Sequence, residues 1–193
     1  EYVKPNDRNF DMGDCDSDRR HLINLSAVAS TPEFETPALR ALFGGWQLST
    51  IYRVSSGAPL LMQNRNDPAL IGDARNGVQR PAYLGGNPIL DDGLNYLNTA
   101  VFGRVDRELG TGQISDLGPH NFAGPGTWGL DLKLSRRFSV SETQSLEFRA
   151  EAFNATNSTH LNNPSVRVRQ RTFGTITSAR DPRIMQFAVK YVF

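Results

Sequence analysis

The sequence predicts an all-β fold: a segment of an antiparallel transmembrane β-barrel, roughly the last five or six strands of a larger one, with long extracellular loops. Polar and apolar residues alternate over stretches about as long as a tilted strand needs to cross a bilayer. The connections between these stretches are short at one end and long at the other. The strands are also too few to close, since single-chain barrels of this kind have at least about 8.

Five stretches read as strands: HLINLSAVA (21–29), WQLSTIYRVS (46–55), TWGLDLKLSRRF (127–138), SLEFRAEAFN (145–154) and RIMQFAVKYVF (183–193). In the third, Trp128, Leu130, Leu132 and Leu134 share one face, with Asp131, Lys133 and Ser135 on the other. The fourth sets Leu146, Phe148, Ala150 and Ala152 against Glu147, Arg149 and Glu151. In the fifth, Met185, Phe187, Val189, Tyr191 and Phe193 occupy alternate positions, with Gln186, Ala188 and Lys190 between them. In a barrel, the rows Trp128, Leu130, Leu132, Leu134, Leu146, Phe148 and Met185 face lipid. Glu147, Arg149, Glu151, Gln186 and Lys190 face the lumen; the plainer alternative is a solvated ladder of charges that stabilises little.

The connections orient the strands. SVSET is a tight polar turn, whereas 57–126 and 155–182 are long and, in the first case, rich in Gly, Pro, Asn and Asp. Loops of that length sit badly inside a compact soluble domain but suit the outer side of a barrel. With the last strand running inward, SVSET is periplasmic and both long loops are external. TPEFETPALRALFGG (31–45) is then a rather long periplasmic connection. Aromatics fall near strand ends, as girdle residues do: Trp46, Phe138, Tyr191 and Phe193 toward the inside, Trp128 toward the outside.

Composition narrows the function classes. Only 38% of the residues are hydrophobic, mean hydropathy is negative, and no apolar run approaches the roughly 18 residues of a spanning helix. Barrel strands escape that test because half of each faces the lumen. A net charge of +1, with no basic block, argues against nucleic acid as a partner. The single Cys15 excludes an internal disulfide and reads as an inconsequential free thiol. The start EYVKPNDRNF lacks a leader pattern, so either a leader was removed or the chain begins within a longer one.

No constellation of nucleophile and base supports an enzyme, and no cofactor is expected. His120 lacks a partner at ligand spacing, with His21 and His160 remote in sequence, and reads as a loop histidine. The acidic run DMGDCDSD (11–18) lacks the spacing and closing Glu of a calcium loop and reads as solvated. NAT (154–156) and NST (157–159) fit the glycosylation sequon, which in a bacterial outer-membrane protein is coincidence. Gly124-Pro125-Gly126 is turn chemistry leading into the third strand; it has no lysine or following helix to cradle a phosphate. Ligand specificity is expected in loop 57–126. There Tyr96 and Phe102 would either stack on a sugar or peptide or form the loop's own small core, the latter being the plainer reading.

DRRH (18–21), GGWQLS (44–49), SGAPL (56–60), YLNTAVF (96–102), FAGPGTWGLDLKLSRRFSVSE (122–142), FRAEAFNATN (148–157) and FGTITSARDPRIMQFAVKYVF (173–193) follow one another in order. That series resembles the C-terminal part of TonB-dependent receptors, and within them the Oar-like group that carries a carboxypeptidase-regulatory-like domain at the N-terminus. FNATN stands where a more apolar FNLFN-like run is usual, and GPHNFAGPG replaces a GRN-type lead into GPG.

The resemblance implies a Gram-negative outer-membrane location and a barrel of about 22 strands. It also implies a plug domain, absent from this chain, and uptake of a bulky ligand such as a carbohydrate or siderophore, driven through the TonB complex by way of upstream regions. Glu147, Arg149, Glu151, Gln186 and Lys190 would then touch the plug. Phe187, Val189, Tyr191 and Phe193 would form the signal read by the barrel-assembly machinery, through strand addition with alternate side chains in pockets. The other class the residues admit is a soluble or cell-surface all-β binding or adhesion domain, which would bury the apolar rows and stay monomeric.

Overall fold

The computed structural model describes residues 3–4, 6–72, 79–119 and 122–193; His120 lies outside them. The chain divides into two compact units, one made of 21–55, 127–160 and 181–193, the other of 1–20, 56–126 and 161–180. No helix among the described residues is long and apolar enough to cross a membrane.

The first unit is a single antiparallel meander. Strands β1 (Leu22–Ser30), β2 (Trp46–Ser55), β3 (Thr127–Ser139), β4 (Ser145–Phe153) and β5 (Ile184–Val192) lie side by side in chain order. Each boundary falls within one residue of the stretch read from alternation. β2 and β3 are direct neighbours, from Trp46 opposite Arg136 to Ser55 opposite Thr127, although 56–126 separates them in sequence. The turn between β3 and β4 closes when the Val140 and Ser141 amides donate to the Gln144 carbonyl at 2.8 and 3.2 Å. Helix α1 (Pro37–Phe43) occupies the β1–β2 connection, with Pro37 in its first turn, where a missing N–H costs nothing.

The two asparagines of FNATN shape the turn after β4. Asn154 and Asn157 take positive φ, 50° and 52°, a region in which asparagine is tolerated and β-branched residues are not. The Asn154 side chain then clasps the turn, donating to the Ser158 carbonyl at 2.9 Å and accepting from the Ser158 amide at 3.0 Å. Its own amide donates to Asp131 Oδ1 at 2.9 Å, fixing the end of β4 against β3. An FNLFN-like run has the same two asparagines; the departures are Ala155 and Thr156, and the Thr156 hydroxyl shares a 2.9 Å hydrogen bond with that of Ser158.

The second unit has a core that draws on more of the chain than the small loop core expected around Tyr96 and Phe102. Leu60, Met62, Leu97, Val101, Phe102, Leu117 and Phe173 form a buried core, with Phe122, Val166 and Val168 packed against it. Phe102 meets Phe122 and Phe173 edge-on at 5.6 and 5.8 Å. Its ladders are short: Pro59–Leu60 with Phe122–Ala123, Ala82–Tyr83 with Phe102–Gly103, and Ile89–Asp92 with Asn95–Leu97. Residues 161–180 join through Gln63, whose amide donates to the Val166 carbonyl at 2.9 Å and whose carbonyl accepts from the Val168 amide at 3.0 Å. Within the GPG motif, a Cβ on Gly124 would lie 2.4 Å from Asn163 Oδ1. One on Gly57 would lie 1.7 Å from the Gly124 carbonyl oxygen, so this close approach requires glycine.

Candidate functional site

In an antiparallel sheet, residues directly opposite one another share a face, so register alone sorts the side chains of the meander. One face reads, from β1 to β5, Ala27, Thr50, Leu132, Ala152, Met185 and, one row along, Ala29, Leu48, Leu134, Ala150, Phe187. Further rows are Ile23, Val54, Trp128; then Leu25, Tyr52, Leu130; then Trp46, Arg136, Phe148, Val189; then Phe138, Leu146, Tyr191. Trp128, Leu130, Leu132, Leu134, Leu146, Phe148 and Met185 therefore lie together. So do Phe187, Val189 and Tyr191, while Phe193, just past the end of β5, stacks on Tyr191 at 5.8 Å. This face is exposed: Leu25 by 60%, Phe187 by 76%.

The opposite face is mixed: Leu22, Val28, Ile51, Phe153, Ile184 and Val192 are exposed on it, and its charged residues are tied to one another. Glu147 accepts from Arg149 Nε at 2.6 Å and from Arg137 at 3.4 Å. Arg53 pairs with Asp131, and Gln186 donates to Glu151. Lys190 is opposite Glu147, and Lys133 opposite Glu151. The structure thus brings Glu147, Arg149, Glu151, Gln186 and Lys190 onto one face, together with Arg53 and Arg137, which were not singled out from sequence. Alternation in WQLSTIYRVS already opposes Arg53 to Leu48 and Tyr52, but its partner Asp131 is visible only once β2 and β3 are aligned.

The meander is inside out. Every buried hydrophobic side chain among the described residues belongs to the other unit. The buried residues of the meander are Ser135, Glu147 and Asn154. In water such a distribution would expose one contiguous apolar band on a single sheet.

In the other unit, Phe102 is a core residue, only 5% exposed, and so has no free ring face for a ligand. Tyr96 is half-buried against the same core, and its hydroxyl donates to the Ala123 carbonyl at 3.0 Å. The acidic run is engaged in ion pairs: Asp14 with Arg20 at 3.0 Å, and Asp11 with Arg80 at 2.8 Å. Asp106 accepts from Arg104 and, at 2.7 Å, from Arg169; the Arg104 hydrogen bond is the main reason its carboxyl lies below the usual range. Among the described residues, no group of three or more His, Cys, Asp or Glu side chains is placed to hold a metal ion.

The family model described as an outer membrane beta barrel domain matches residues 1–186. No curated protein and no solved structure matches the chain. The match extends over nearly all of the sequence, and it meets a meander with an exposed apolar face and no buried hydrophobic side chain among the described residues. The chain belongs to the outer-membrane β-barrel domain family.

Proposed function

We propose that these strands are part of the wall of a TonB-dependent transporter, which takes up a bulky ligand across the outer membrane. The apolar rows face lipid and the charged face lines the lumen, where Glu147, Arg149, Glu151, Gln186 and Lys190 meet a plug domain contributed by upstream chain. The observation that carries the reading is the inside-out meander: a lipid solvent stabilises exposed Leu, Phe and Val rows, and a polar lumen tolerates the Arg53–Asp131 and Arg149–Glu147 pairs. Among the described residues, no strand pairs with the outer edge of β1 or β5. Bare edges are excluded in hydrocarbon because their amides find no water, so the sheet is completed by further strands.

The membrane and transport parts of the proposal are tested separately. An immunoblot of fractionated source cells should place the full-length protein in the outer membrane as a heat-modifiable band. Cells lacking the protein and cells lacking TonB should then lose growth on the same bulky nutrient. A nutrient still taken up without TonB, but not without this protein, would leave the barrel standing and sink the TonB coupling.

A further inference from the structure

α1 is an oddity for a chain in water. All seven of its residues, Pro37–Phe43, are exposed, and Leu39, Leu42 and Phe43 are among the exposed large apolar side chains. A helix this short does not hold itself together by propensity. What holds it is a pair of side chains from the apolar face of the meander. Trp46 Nε1 donates to the Leu42 carbonyl at 3.2 Å, and the Arg136 guanidinium donates to the Ala41 carbonyl. These carbonyls belong to the last turn, whose acceptors have no partner within the helix. Both donors sit in the row Trp46, Arg136, Phe148, so the C-terminal turn of α1 lies on the apolar side of the strand ends.

Arg136 is itself out of place on that face, where the surrounding rows are apolar. Its guanidinium lies over Phe138 at 4.5 Å and Trp46 at 5.1 Å, stacking that relieves the cost of a cation next to hydrocarbon. Beneath α1 is an open cleft of about 890 Å³ whose lining includes Phe34, Arg40, Ala41, Arg136 and Phe138. Its charged residues are Arg40, Arg136 and Arg137 against Glu33, and Arg137 is engaged by Glu147 on the other face. The same end of the strands carries the tight turn 140–144, which marks the periplasmic side of a barrel.

We propose that α1 is an interfacial anchor lying on the periplasmic leaflet, with Leu39, Leu42 and Phe43 in the acyl boundary and Arg40 and Arg136 holding a phospholipid phosphate. The proposal rests on the lipid-facing assignment of the meander. It commits to phospholipid because the helix continues the apolar face at its short-turn end, and because Arg40, which donates to the Phe34 and Glu35 carbonyls, and Arg136, which donates to that of Ala41, keep guanidinium N–H groups without a carboxylate partner among the described residues, which suits a phosphate.

The test uses the full-length protein with Cys15→Ser, folded into phosphatidylglycerol-containing vesicles. A spin label is placed in turn at Leu42→Cys, at Leu132→Cys as the mid-sheet reference, and at Ser141→Cys in the turn. Labels at Leu132 and Leu42 should both favour oxygen over a water-soluble nickel chelate several-fold more than the label at Ser141. If Leu132 reads lipid while Leu42 reads water, or is shielded from both quenchers, the anchor is wrong and the barrel reading stands. If Leu132 also reads water, both fall. In parallel, Arg40→Gln, alone and with Arg136→Gln, should retain several-fold less phosphatidylglycerol through detergent gel filtration, with heat-modifiability confirming the fold. Unchanged retention by the folded Arg40→Gln protein, or retention of lipopolysaccharide in place of phosphatidylglycerol, overturns the phosphate site.

Discussion

Leu132→Arg is the sharpest perturbation of the face assignment. Leu132 is near the middle of β3 and in the central row Ala27, Thr50, Leu132, Ala152, Met185, so a barrel places it close to the bilayer midplane. Arginine there costs about 2–4 kcal/mol, which shifts the folding equilibrium by roughly thirtyfold to nearly a thousandfold. Its small neighbours Thr50 and Ala152 leave room for the longer side chain, so the cost comes from charge in hydrocarbon, with little overpacking. Phe138→Arg, six residues along the same face, lies near the strand end and should cost only about 0–1 kcal/mol.

Lys133→Arg is the matched control. It keeps the charge and stays on the opposite face, across from Ser49 and Glu151, so it should change stability by no more than about 0.5 kcal/mol. The assay is equilibrium folding of the full-length protein into phosphocholine vesicles along a urea series, read by heat-modifiable gel mobility. Depth dependence is the diagnostic result: a large loss at Leu132, a small one at Phe138 and none at Lys133. Equal tolerance of arginine at 132 and 133 would falsify the face assignment, and equal losses at 132 and 138 would remove bilayer depth as its cause.

The other unit supplies independent predictions. Asp11→Asn strands the guanidinium of Arg80, whose side chain is only 3% exposed, and should cost about 3–5 kcal/mol of unit stability, read by limited proteolysis. Changing Asp11 to Asn together with Arg80→Met should recover much of that loss. Gly57→Ala should open the unit to protease more than Gly124→Ala, because its methyl meets a backbone carbonyl whereas that of Gly124 meets the movable end of Asn163. Asp106 has a folded pKa below its usual 3.8, through Arg104 first and Arg169 second. Its stabilisation is therefore complete above about pH 4 and is lost as pH falls through the depressed folded value. Protease resistance should decline over that acid range in the wild type, and Asp106→Asn should remove that component.

The meander was legible in the sequence because a sheet with a different solvent on each side imposes period two, and period two is local. TWGLDLKLSRRF and SLEFRAEAF show both faces without knowledge of their neighbours, and register then only confirms which residues share a row. The connection lengths oriented the strands, and the structure pairs β2 with β3 across 56–126 in the chain order of a meander. The second unit was legible only in the small core read around Tyr96 and Phe102, for the opposite reason. Leu60, Met62, Leu97, Phe102 and Phe173 make one core, yet they come from separate short stretches, and no regular element of that unit among the described residues is longer than four residues. A core assembled from such pieces leaves no period to find. Arg136 was passed over although alternation with Leu130, Leu132 and Leu134 already puts it on the apolar face; its stacking on Trp46 and Phe138 is visible only in three dimensions.

The two units show that one chain can carry opposite burial rules, and the difference identifies the solvent. Where water is the only solvent, exposed Leu and Phe rows cost roughly 25 cal/mol per Å² and are buried, as Leu60, Leu97, Phe102, Leu117 and Phe173 are in the other unit. The meander has comparable side chains, and could hide them only by folding its apolar face onto a second layer. In the other unit Leu60, Met62, Leu97, Phe102 and Phe173 form a core within that unit. What the meander buries instead is Glu147, held by Arg149 and Arg137, and Ser135 opposite Arg149. A sheet that satisfies its charges sideways and leaves its hydrocarbon facing out is stable only if the medium outside is itself hydrocarbon, which is the condition the outer membrane supplies.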